Sequence, residues 1–377
     1  MTEISLCMIV KDEEAHLEGC LESVQGAVDE IIVLDTGSTD RTKEIAGRFT
    51  DRVYDYVWQD DFAAARNASF AYASKPFILW LDADDRLERS EREKLIALKG
   101  RLDEHVDAVM MPYRCGCGES GASALTFERE RIVRRGAGFV FTGVVHEAMT
   151  VGGTVWHEDI VVCHTGDHRE SSNRRNLGIY EKWLARGRRM SARDQYYYAR
   201  ELMSAGEIER AQQAFKTFLM QDGWIENRID AHVQRGNCLM RLGQQGEAKA
   251  EYLSALACGA PRAEALCALG GCCLEQGDLH AAVFWYRAAM IATPPEHSGA
   301  FVQKDAYDYI PALQLCVCYD RLGRTVDAAR MNERALLAHP GDEIALANRA
   351  YFERRLARTN RGDENEESSI IRKEKSD

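Results

Sequence analysis

Small residues recur at fixed intervals through the second half of the chain, and this pattern strongly constrains the fold. A glycine is followed after five positions by alanine and after seven more by alanine or phenylalanine, in Gly206/Ala211/Phe218, Gly243/Ala248/Ala255, Gly277/Ala282/Ala289 and Gly323/Ala328/Ala335. Small side chains at these positions let two antiparallel helices approach closely, and glycine permits the turn between them. The pattern therefore predicts stacked helical hairpins from about Ser191 to Phe352.

The spacing indicates the type of repeat. Gly243 and Gly277 are 34 residues apart, which is the tetratricopeptide period. The longer interval to Gly323 predicts an insertion or loop at Pro294–Asp305. The predicted C-terminal segments are a helical connector over 171–190, an all-α tetratricopeptide-repeat domain over 191–358 and a disordered charged tail over 359–377.

The first half of the chain alternates short apolar runs with amphipathic stretches. The apolar runs predict buried strands at Ile4–Val10, Glu30–Leu34, Arg52–Trp58 and Phe77–Leu81. The stretches between them predict helices at His16–Val24, Asp40–Phe49 and Ala63–Ser74. This alternation is typical of a mostly parallel sheet with helices on both faces, so we expect an α/β domain over 1–170. Short β segments between residues 110 and 170 are expected to extend or cover that sheet.

Charge and composition exclude several classes of function. The formal net charge is -12, which argues against broad binding to nucleic acid. No run of about eighteen apolar residues occurs, so no membrane span is expected. Without a secretion signal, the cytoplasm is the expected compartment and the cysteines are expected to be reduced. Cys115-Gly116-Cys117 lacks the spacing of a zinc site, and we reject that interpretation.

Acidic residues follow the predicted strands at one edge of the sheet. The C-terminal ends of parallel strands meet there, so Lys11-Asp12, Asp35-Thr36-Gly37 and Asp82-Ala83-Asp84 are expected to lie on the same rim. Asp35 could accept a hydrogen bond from a nucleotide base or ribose, and Gly37 would allow close approach. The alternative at this segment is a capped strand-helix turn.

The Asp82-Ala83-Asp84 triplet is the strongest candidate for a cation site. Carboxylates crowded at a strand end repel each other unless a cation or hydrogen-bond donors neutralise them. Mg²⁺ or Mn²⁺ suits such oxygen ligands and would share its remaining positions with phosphates. An exposed acidic turn is the alternative.

The segment Trp58–Asn67, between the Asp35 and Asp82 segments, contains a basic residue that could bind phosphate or pair with a carboxylate. Asp60 or Asp61 could cap the helix that follows, which would leave Arg66 and Asn67 one turn inside it. Arg66 could then pair with phosphate, or with Asp61 or Asp84. A surface ion pair is the competing interpretation.

Together these segments resemble the inverting family 2 glycosyltransferases, whose catalytic domain has a GT-A-type nucleotide-diphosphosugar transferase fold. The resemblance rests on Met8–Glu14, Glu30–Thr42 and Leu81–Asp85. It implies that Asp35 contacts the base, Asp82 the nucleoside and Asp84 the metal. The residues expected to bind the donor are Val10, Lys11, Asp12, Glu13, Asp35, Thr36, Gly37, Asp61, Arg66, Asn67, Asp82 and Ala83.

A narrower resemblance covers nearly the whole chain. Trp58–Asn67, Gly143–Glu147 and His164-Thr165-Gly166, followed by the repeats, resemble the SunS-like peptide glycosyltransferases. These enzymes attach sugar to peptide Cys or Ser in bacteriocin maturation and produce a glycopeptide. One departure is Asp167, where that group usually has an aromatic residue.

Three side chains in this region are candidates for chemistry. An inverting transfer needs a base to take the acceptor's proton, and Glu147 is the first candidate, with His146 beside it. The alternative is that His146 and Glu147 form a structural pair that closes the loop. His164 could complete the metal shell with Asp84, as the resemblance implies. Arg169, Arg174 and Arg175 could contact the diphosphate or simply solvate the connector helix.

The predicted function is therefore metal-dependent transfer of a hexose or N-acetylhexosamine from a UDP-sugar to an acceptor. Repeat surfaces suit extended peptides, which favours a peptide Cys or Ser as the acceptor. A saccharide or lipopolysaccharide-core acceptor is the alternative within the enzyme class. A non-catalytic repeat scaffold that binds nucleotide-sugar is the alternative outside it. The repeats could also serve homodimerisation.

Overall fold

The structure is a computed structural model that describes residues 1–115, 125–166, 170–295 and 302–357. It divides into two compact units. One comprises the chain up to Asn227, and the other comprises Arg228–Pro295 and the chain from Gln303 onward. The predicted charged tail, Asp167 and Arg169 lie outside the described residues. The domain boundaries expected near residues 170 and 190 stay predictions.

The first unit combines an extended sheet with helices. Its strands are β1 (Ile4–Val10), β2 (Glu30–Asp35), β3 (Val53–Asp55), β4 (Phe77–Trp80), β5 (Asp85–Arg86), β6 (Ala108–Cys115), β7 (Leu125–Arg134), β8 (Phe141–Thr142), β9 (Ala148–Met149), β10 (Val155–His157) and β11 (Val162–His164). Its helices are α1 (Leu17–Ser23), α2 (Thr42–Gly47), α3 (Phe62–Ala71), α4 (Arg89–Lys99), α5 (Glu170–Ala185), α6 (Ala192–Ser204) and α7 (Ile208–Leu219). Every strand and helix predicted before residue 109 is present, although β3 is shorter than the predicted Arg52–Trp58.

The sheet has the strand order β3-β2-β1-β4-β7-β6-β11-β5, with β10 also paired to β6. The strands β3, β2, β1 and β4 are mutually parallel, as expected. Val10 pairs with Asp35 in the β1–β2 register, so the acidic ends of these strands lie side by side. β7 runs antiparallel to both β4 and β6, and therefore the later β segments extend the sheet as a mixed sheet.

Helices cover both faces of the parallel part. On one face Leu6, Met8 and Val33 pack against residues of α1, α2 and α4, including Leu21, Ile45 and Leu95. On the other face Cys7, Ile32 and Trp80 pack with Ala63 of α3. Strands buried on both faces carry continuous apolar runs, which explains why these strands were recognisable from sequence.

The cysteines partly depart from expectation. Among the eleven cysteines that the structure describes, ten carry free thiols, including buried Cys7 and Cys20. Cys163, on β11, is disulfide-bonded. The expectation that every cysteine is reduced is therefore wrong at this position.

The helical hairpins form as the repeat pattern predicts. α6 and α7 form the first hairpin. α8 (Ile225–Arg241) begins at the end of the first unit. The second unit contains α9 (Gln245–Ala257), α10 (Ala263–Glu275), α11 (Leu279–Ile291), α12 (Tyr309–Arg321), α13 (Thr325–Ala338) and a helix over 343–357. The glycines between paired helices have φ angles of 82°, 74°, 78° and 74° at Gly206, Gly243, Gly277 and Gly323. This left-handed conformation favours glycine. The alanine five positions after each glycine is buried. In the part of the chain that the structure describes, no helix is both long and apolar enough to cross a bilayer.

A second glycine in the repeat allows the paired helices to meet. A Cβ built on Gly236 would lie 2.7 Å from Tyr252 Cδ1, and one on Gly270 would lie 2.8 Å from Tyr286 Cζ. We expect Gly236→Ala to lower the free energy of unfolding by about 1–3 kcal/mol, because the buried tyrosine ring must move. Urea denaturation followed by circular dichroism measures this. Gly246→Ala is the control, since a Cβ there meets nothing within 4 Å and the midpoint should stay or rise. Equal midpoints for the two variants would contradict the prediction.

Candidate active site

A cavity of about 350 Å³ opens at the C-terminal ends of the parallel strands, within the first unit. Eleven of the predicted site residues line it, namely Val10, Lys11, Glu13, Thr36, Arg66, Asp82, Ala83, Asp84, His146, Glu147 and His164. Residues that the sequence analysis did not single out line it as well, and these are Ile9, Trp58, Phe62, Trp80, Arg129, Val145 and Asn176. Arg175, proposed to contact diphosphate or to solvate its helix, is also in the wall.

The other predicted residues hold the loops that frame the cavity. Asp35 Oδ2 accepts hydrogen bonds of 3.0 Å from the backbone N–H groups of Gly37 and Ser38. Asp12 Oδ1 accepts a hydrogen bond of 2.7 Å from the Thr39 N–H. These bonds tie the end of β1 to the loop after β2. The direct contacts of Asp12, Asp35 and Gly37 with a nucleotide stay predictions.

Asp61 and Asn67 orient α3. Asp61 caps the helix by accepting a hydrogen bond of 2.9 Å from the Ala64 N–H, as the sequence suggested. Asn67 bonds the backbone of Phe141 in both directions, donating through Nδ2 at 3.0 Å and accepting at Oδ1 at 2.8 Å. Since Asp61 and Asn67 fix α3 on either side of Arg66, the Arg66 side chain projects from a rigid helix into the cavity wall.

Arg66 joins two carboxylates from distant parts of the chain. Its Nη2 lies 2.5 Å from Asp82 Oδ1, and its Nε lies 2.5 Å from Glu147 Oε1. These partners replace Asp61 and Asp84, which the sequence interpretation had considered as ion-pair partners. Burial alone raises the pKa of Asp82, but the charges of Arg66 and Arg131 outweigh it and lower the pKa to about 2. The Asp82 carboxylate is therefore charged at neutral pH.

Three guanidinium groups surround the indole ring of Trp80. The Cζ atoms of Arg66, Arg129 and Arg131 lie 4.7, 4.9 and 4.1 Å from the ring centroid. Arg129 and Arg131 are two residues apart on β7, and the β6–β7 register shifts at Arg131, between the pairs Met110–Glu130 and Val109–Ile132. That spacing in Glu128-Arg129-Glu130-Arg131 was the available sequence signal. Arg66 and Arg129 line the cavity and are called the arginine wall here, and the guanidinium of Arg129 can donate to phosphate oxygens.

Asp84, Asp85 and His164 form a candidate metal centre. One ligand atom from each lies within 4.8 Å of the other two. Asp84 Oδ1 is 3.4 Å and Asp85 Oδ1 is 3.9 Å from His164 Nδ1. The other oxygen of Asp85 accepts from the Asp82 N–H at 2.9 Å and lies 3.0 Å from Arg131 Nη1. Two carboxylates and an imidazole are a donor set that suits Mn²⁺ or Mg²⁺, so the residues fit such an ion. Asp85 is a member that the sequence analysis missed.

The sheet explains how His164 reaches the acidic turn. β11 pairs antiparallel with β5, and His164 lies opposite Asp85 in that register. The Thr165 N–H and hydroxyl both donate to the Asp84 carbonyl at 2.8 Å. Hydrogen bonds from His164 to Asp84 and Asp85 raise the pKa of the imidazole to about 10. The two carboxylates therefore have a cationic partner when no metal is bound.

Gly166 leaves room for the Asp84 carboxylate. A Cβ on Gly166 would overlap Asp84 Oδ2 and would lie 2.9 Å from its Cγ. We expect Gly166→Ala to weaken Mn²⁺ binding roughly tenfold or more, because the ligand is displaced. Isothermal calorimetry measures the affinity directly. In Gly152→Ala the added Cβ meets nothing within 4 Å, so this control should bind Mn²⁺ like the parent chain. Unchanged affinity in Gly166→Ala would show that Asp84 does not contribute to the metal site.

His146 lies at the opposite side of the cavity and is held by α6. Its Nε2 is 2.5 Å from Glu201 Oε1, and its ring stacks on Tyr197 with centroids 4.3 Å apart. Its carbonyl accepts from Arg193 Nε at 3.2 Å and from Nη2 at 3.0 Å. α6 had been predicted only as the first helix of the repeats. No local sequence motif indicates these contacts.

Comparisons with known proteins agree with this geometry. The family model for glycosyl transferase family 2 matches residues 5–149. A TPR repeat-containing protein of Synechococcus elongatus is 31% identical over 87% of this chain and 76% of its own length.

Shorter matches include two glycosyltransferases. The SPbeta prophage-derived glycosyltransferase SunS of Bacillus subtilis is 32% identical over 48% of this chain and 45% of its own length. The lipopolysaccharide core biosynthesis glycosyltransferase LpsC of Rhizobium meliloti is 31% identical over 40% of this chain and 58% of its own length. The family-model match and these relatives together show that the chain belongs to the family 2 glycosyltransferases, with tetratricopeptide repeats after the α/β domain.

Proposed function

We propose that the chain is an inverting glycosyltransferase that transfers a hexose or N-acetylhexosamine from a UDP-sugar to a peptide Cys or Ser. The observation that carries this proposal is one cavity that combines a carboxylate-imidazole cluster, an arginine wall and the adjacent pair His146 and Glu147. The first two suit a nucleoside diphosphate with its cation, and the third supplies candidates for the base. An active site needs all three, whereas a nucleotide-sugar-binding scaffold does not need a base.

The donor would lie along the rim formed by the ends of β1, β2 and β4. Asp84, Asp85 and His164 would hold Mg²⁺ or Mn²⁺, which when bound neutralises diphosphate charge as the glycosidic bond breaks. Arg129 lies in the cavity wall, and its guanidinium can donate to phosphate oxygens. Val10, Lys11 and Thr36 line the cavity and would face the nucleoside. The positions of Asp35 and Asp82 beside them support the base and nucleoside contacts that the resemblance implies.

The transfer itself is a single displacement at the anomeric carbon. The acceptor oxygen or sulfur forms a bond to that carbon from the face opposite the diphosphate. The carbon–oxygen bond to the diphosphate breaks, and its electron pair leaves with UDP. The acceptor's proton passes to a base, for which Glu147 and His146 are the candidates on the cavity wall. A thiol acceptor needs less help because a few per cent is thiolate at neutral pH.

The acceptor class rests on the relatives and the repeats. The similarity to SunS and the helical repeats favour a peptide in extended conformation. The similarity to LpsC makes a lipopolysaccharide-core saccharide the second candidate acceptor. We retain the cytoplasm as the proposed compartment, because all but one of the described cysteines, Cys163, have free thiols and disulfides concentrate in secreted proteins. Homodimerisation through the repeats is the other role to test, by sedimentation of the purified chain.

Mass spectrometry of reaction mixtures tests the proposal. The full chain is incubated with Mn²⁺, a panel of UDP-sugars, and either Ser- and Cys-containing peptides or core oligosaccharides. We expect UDP release with one or a few donors, and a mass increase of one hexose or N-acetylhexosamine on peptide. A mass increase on saccharide alone would establish the second acceptor class. Binding of UDP-sugar without any UDP release would establish the scaffold instead.

A further inference from the structure

His146 has an unusual backbone conformation that its neighbours must stabilise. Its φ is 51°, in the left-handed region that residues other than glycine rarely adopt. Such residues cost free energy and persist where surrounding contacts over-determine them. Arg193, Tyr197 and Glu201, all on α6, supply those contacts. One repeat helix therefore sets the position of one cavity side chain.

Glu201 is placed to orient the imidazole as well as to hold it. Its side chain is 6% exposed, and Oε1 also accepts a hydrogen bond of 3.2 Å from Asn176 Nδ2. A carboxylate fixed in this way accepts the Nε2–H of the neutral ring. The proton is then held on Nε2, and Nδ1 carries the lone pair that can accept a second proton.

Glu147 is differently engaged. Its carboxylate is 10% exposed and lies 2.5 Å from Arg66 Nε, so its charge already compensates a buried guanidinium. Taking up a proton would remove that compensation from Arg66. His146 is 35% exposed, and its acidic partner gains a stronger interaction when the ring is protonated. The two adjacent candidates thus have opposite electrostatic responses to receiving a proton.

We infer that His146 is the general base of the transfer and that Glu201, from the first repeat hairpin, is its positioning residue. This inference rests on the proposed glycosyl transfer. The acceptor hydroxyl gives its proton to His146 Nδ1 while its oxygen bonds to the anomeric carbon and UDP leaves with the electron pair. α6 is accordingly part of the catalytic unit as well as the first helix of the repeats.

Azide separates loss of a base from other damage, because azide attacks carbon without a proton to remove. UDP release by the full chain is measured with water and with sodium azide, using the UDP-sugar that the parent chain turns over. We expect His146→Ala to lower kcat with water by about 10²-fold or more and azide to restore it. Glu201→Gln, of equal size, should lower kcat by roughly 10-fold with unchanged donor KM and should also respond to azide.

Three variants complete the design. Glu209→Gln, at an exposed site on α7, should match the parent chain. Glu147→Gln should not respond to azide, and His146→Gln replaces the alanine variant if the latter fails to fold. Parental kcat in Glu201→Gln, or azide rescue of Glu147→Gln but not of the His146 variants, would overturn the inference. If the parent chain releases no UDP from any UDP-sugar, the proposed function fails first and the inference fails with it.

Discussion

Replacement of Asp84 by alanine is expected to abolish Mn²⁺-dependent release of UDP from the donor. Asp84 Oδ1 lies 3.4 Å from His164 Nδ1, and its carbonyl anchors the end of β11 through Thr165. The substitution removes one of three ligands and leaves Asp85 and His164. A divalent cation contributes several kcal/mol to stabilising charge in the transition state. Each 1.4 kcal/mol is a factor of ten, so we expect a loss of about 10²-fold or more.

The measurement is the initial rate of UDP release over a Mn²⁺ titration, with calorimetric Mn²⁺ affinity alongside it. Asp51→Asn is the matched control, because Asp51 is exposed and lies outside the cavity wall. It should leave both the rate and the affinity unchanged. Parental Mn²⁺ dependence in Asp84→Ala would remove Asp84 from the metal centre. A normal Mn²⁺ affinity with a lost rate would instead assign Asp84 to the donor.

Replacement of Arg66 by alanine is expected to have the largest effect on stability. The Arg66 side chain is 8% exposed and pairs with Glu147, which is 10% exposed, and with Asp82, which is 33% exposed. Removal of one member of a buried ion pair leaves an uncompensated charge and costs about 3–5 kcal/mol. The packing of the guanidinium over Trp80 is lost as well. We therefore expect a clear fall in the urea midpoint together with loss of UDP release.

A second substitution separates charge from packing. Arg66→Met with Glu147→Gln removes one charge of each sign, and its urea midpoint should recover part of the loss. Arg41→Ala is the control, since Arg41 and Glu14 form a pair with 71% and 41% exposure. Exposed pairs contribute about 0–1 kcal/mol, so this variant should unfold near the parental midpoint. An unchanged midpoint in Arg66→Ala would show that the carboxylates are compensated by other groups, such as Arg129 and Arg131.

The elements that sequence predicted well are those specified by local patterns. β1, β2 and β4 are recognisable because strands buried on both faces carry unbroken apolar runs. The hairpin turns are recognisable because Gly206, Gly243, Gly277 and Gly323 all adopt positive φ. The end of β3 was predicted too long, since Trp58 is apolar but lines the cavity and is not part of a strand. Apolar character alone does not distinguish a buried strand from a binding wall.

The candidate site was predictable where chain topology alone brings residues together. Parallel strands place Lys11, Asp35 and Asp82 at one rim, so the position of the donor cavity followed from the strand pattern. The identity of the third metal-ligand candidate did not, because Asp85 is selected by the antiparallel pairing of β5 with β11. The bonding state of Cys163 likewise did not follow from the sequence pattern.

The sequence by itself determined the family, the two kinds of fold and the segments that surround the cavity. Only the tertiary structure decided which charges are partners, since Arg66 and Glu147 are 81 residues apart and His146 and Glu201 are 55 residues apart. Local patterns specify where a strand or helix lies. The partner of a buried charge depends on which group the completed fold places within hydrogen-bond distance, because an isolated charge is too costly to bury. That requirement explains why Glu201, on a repeat helix, is the partner of His146 in the cavity wall.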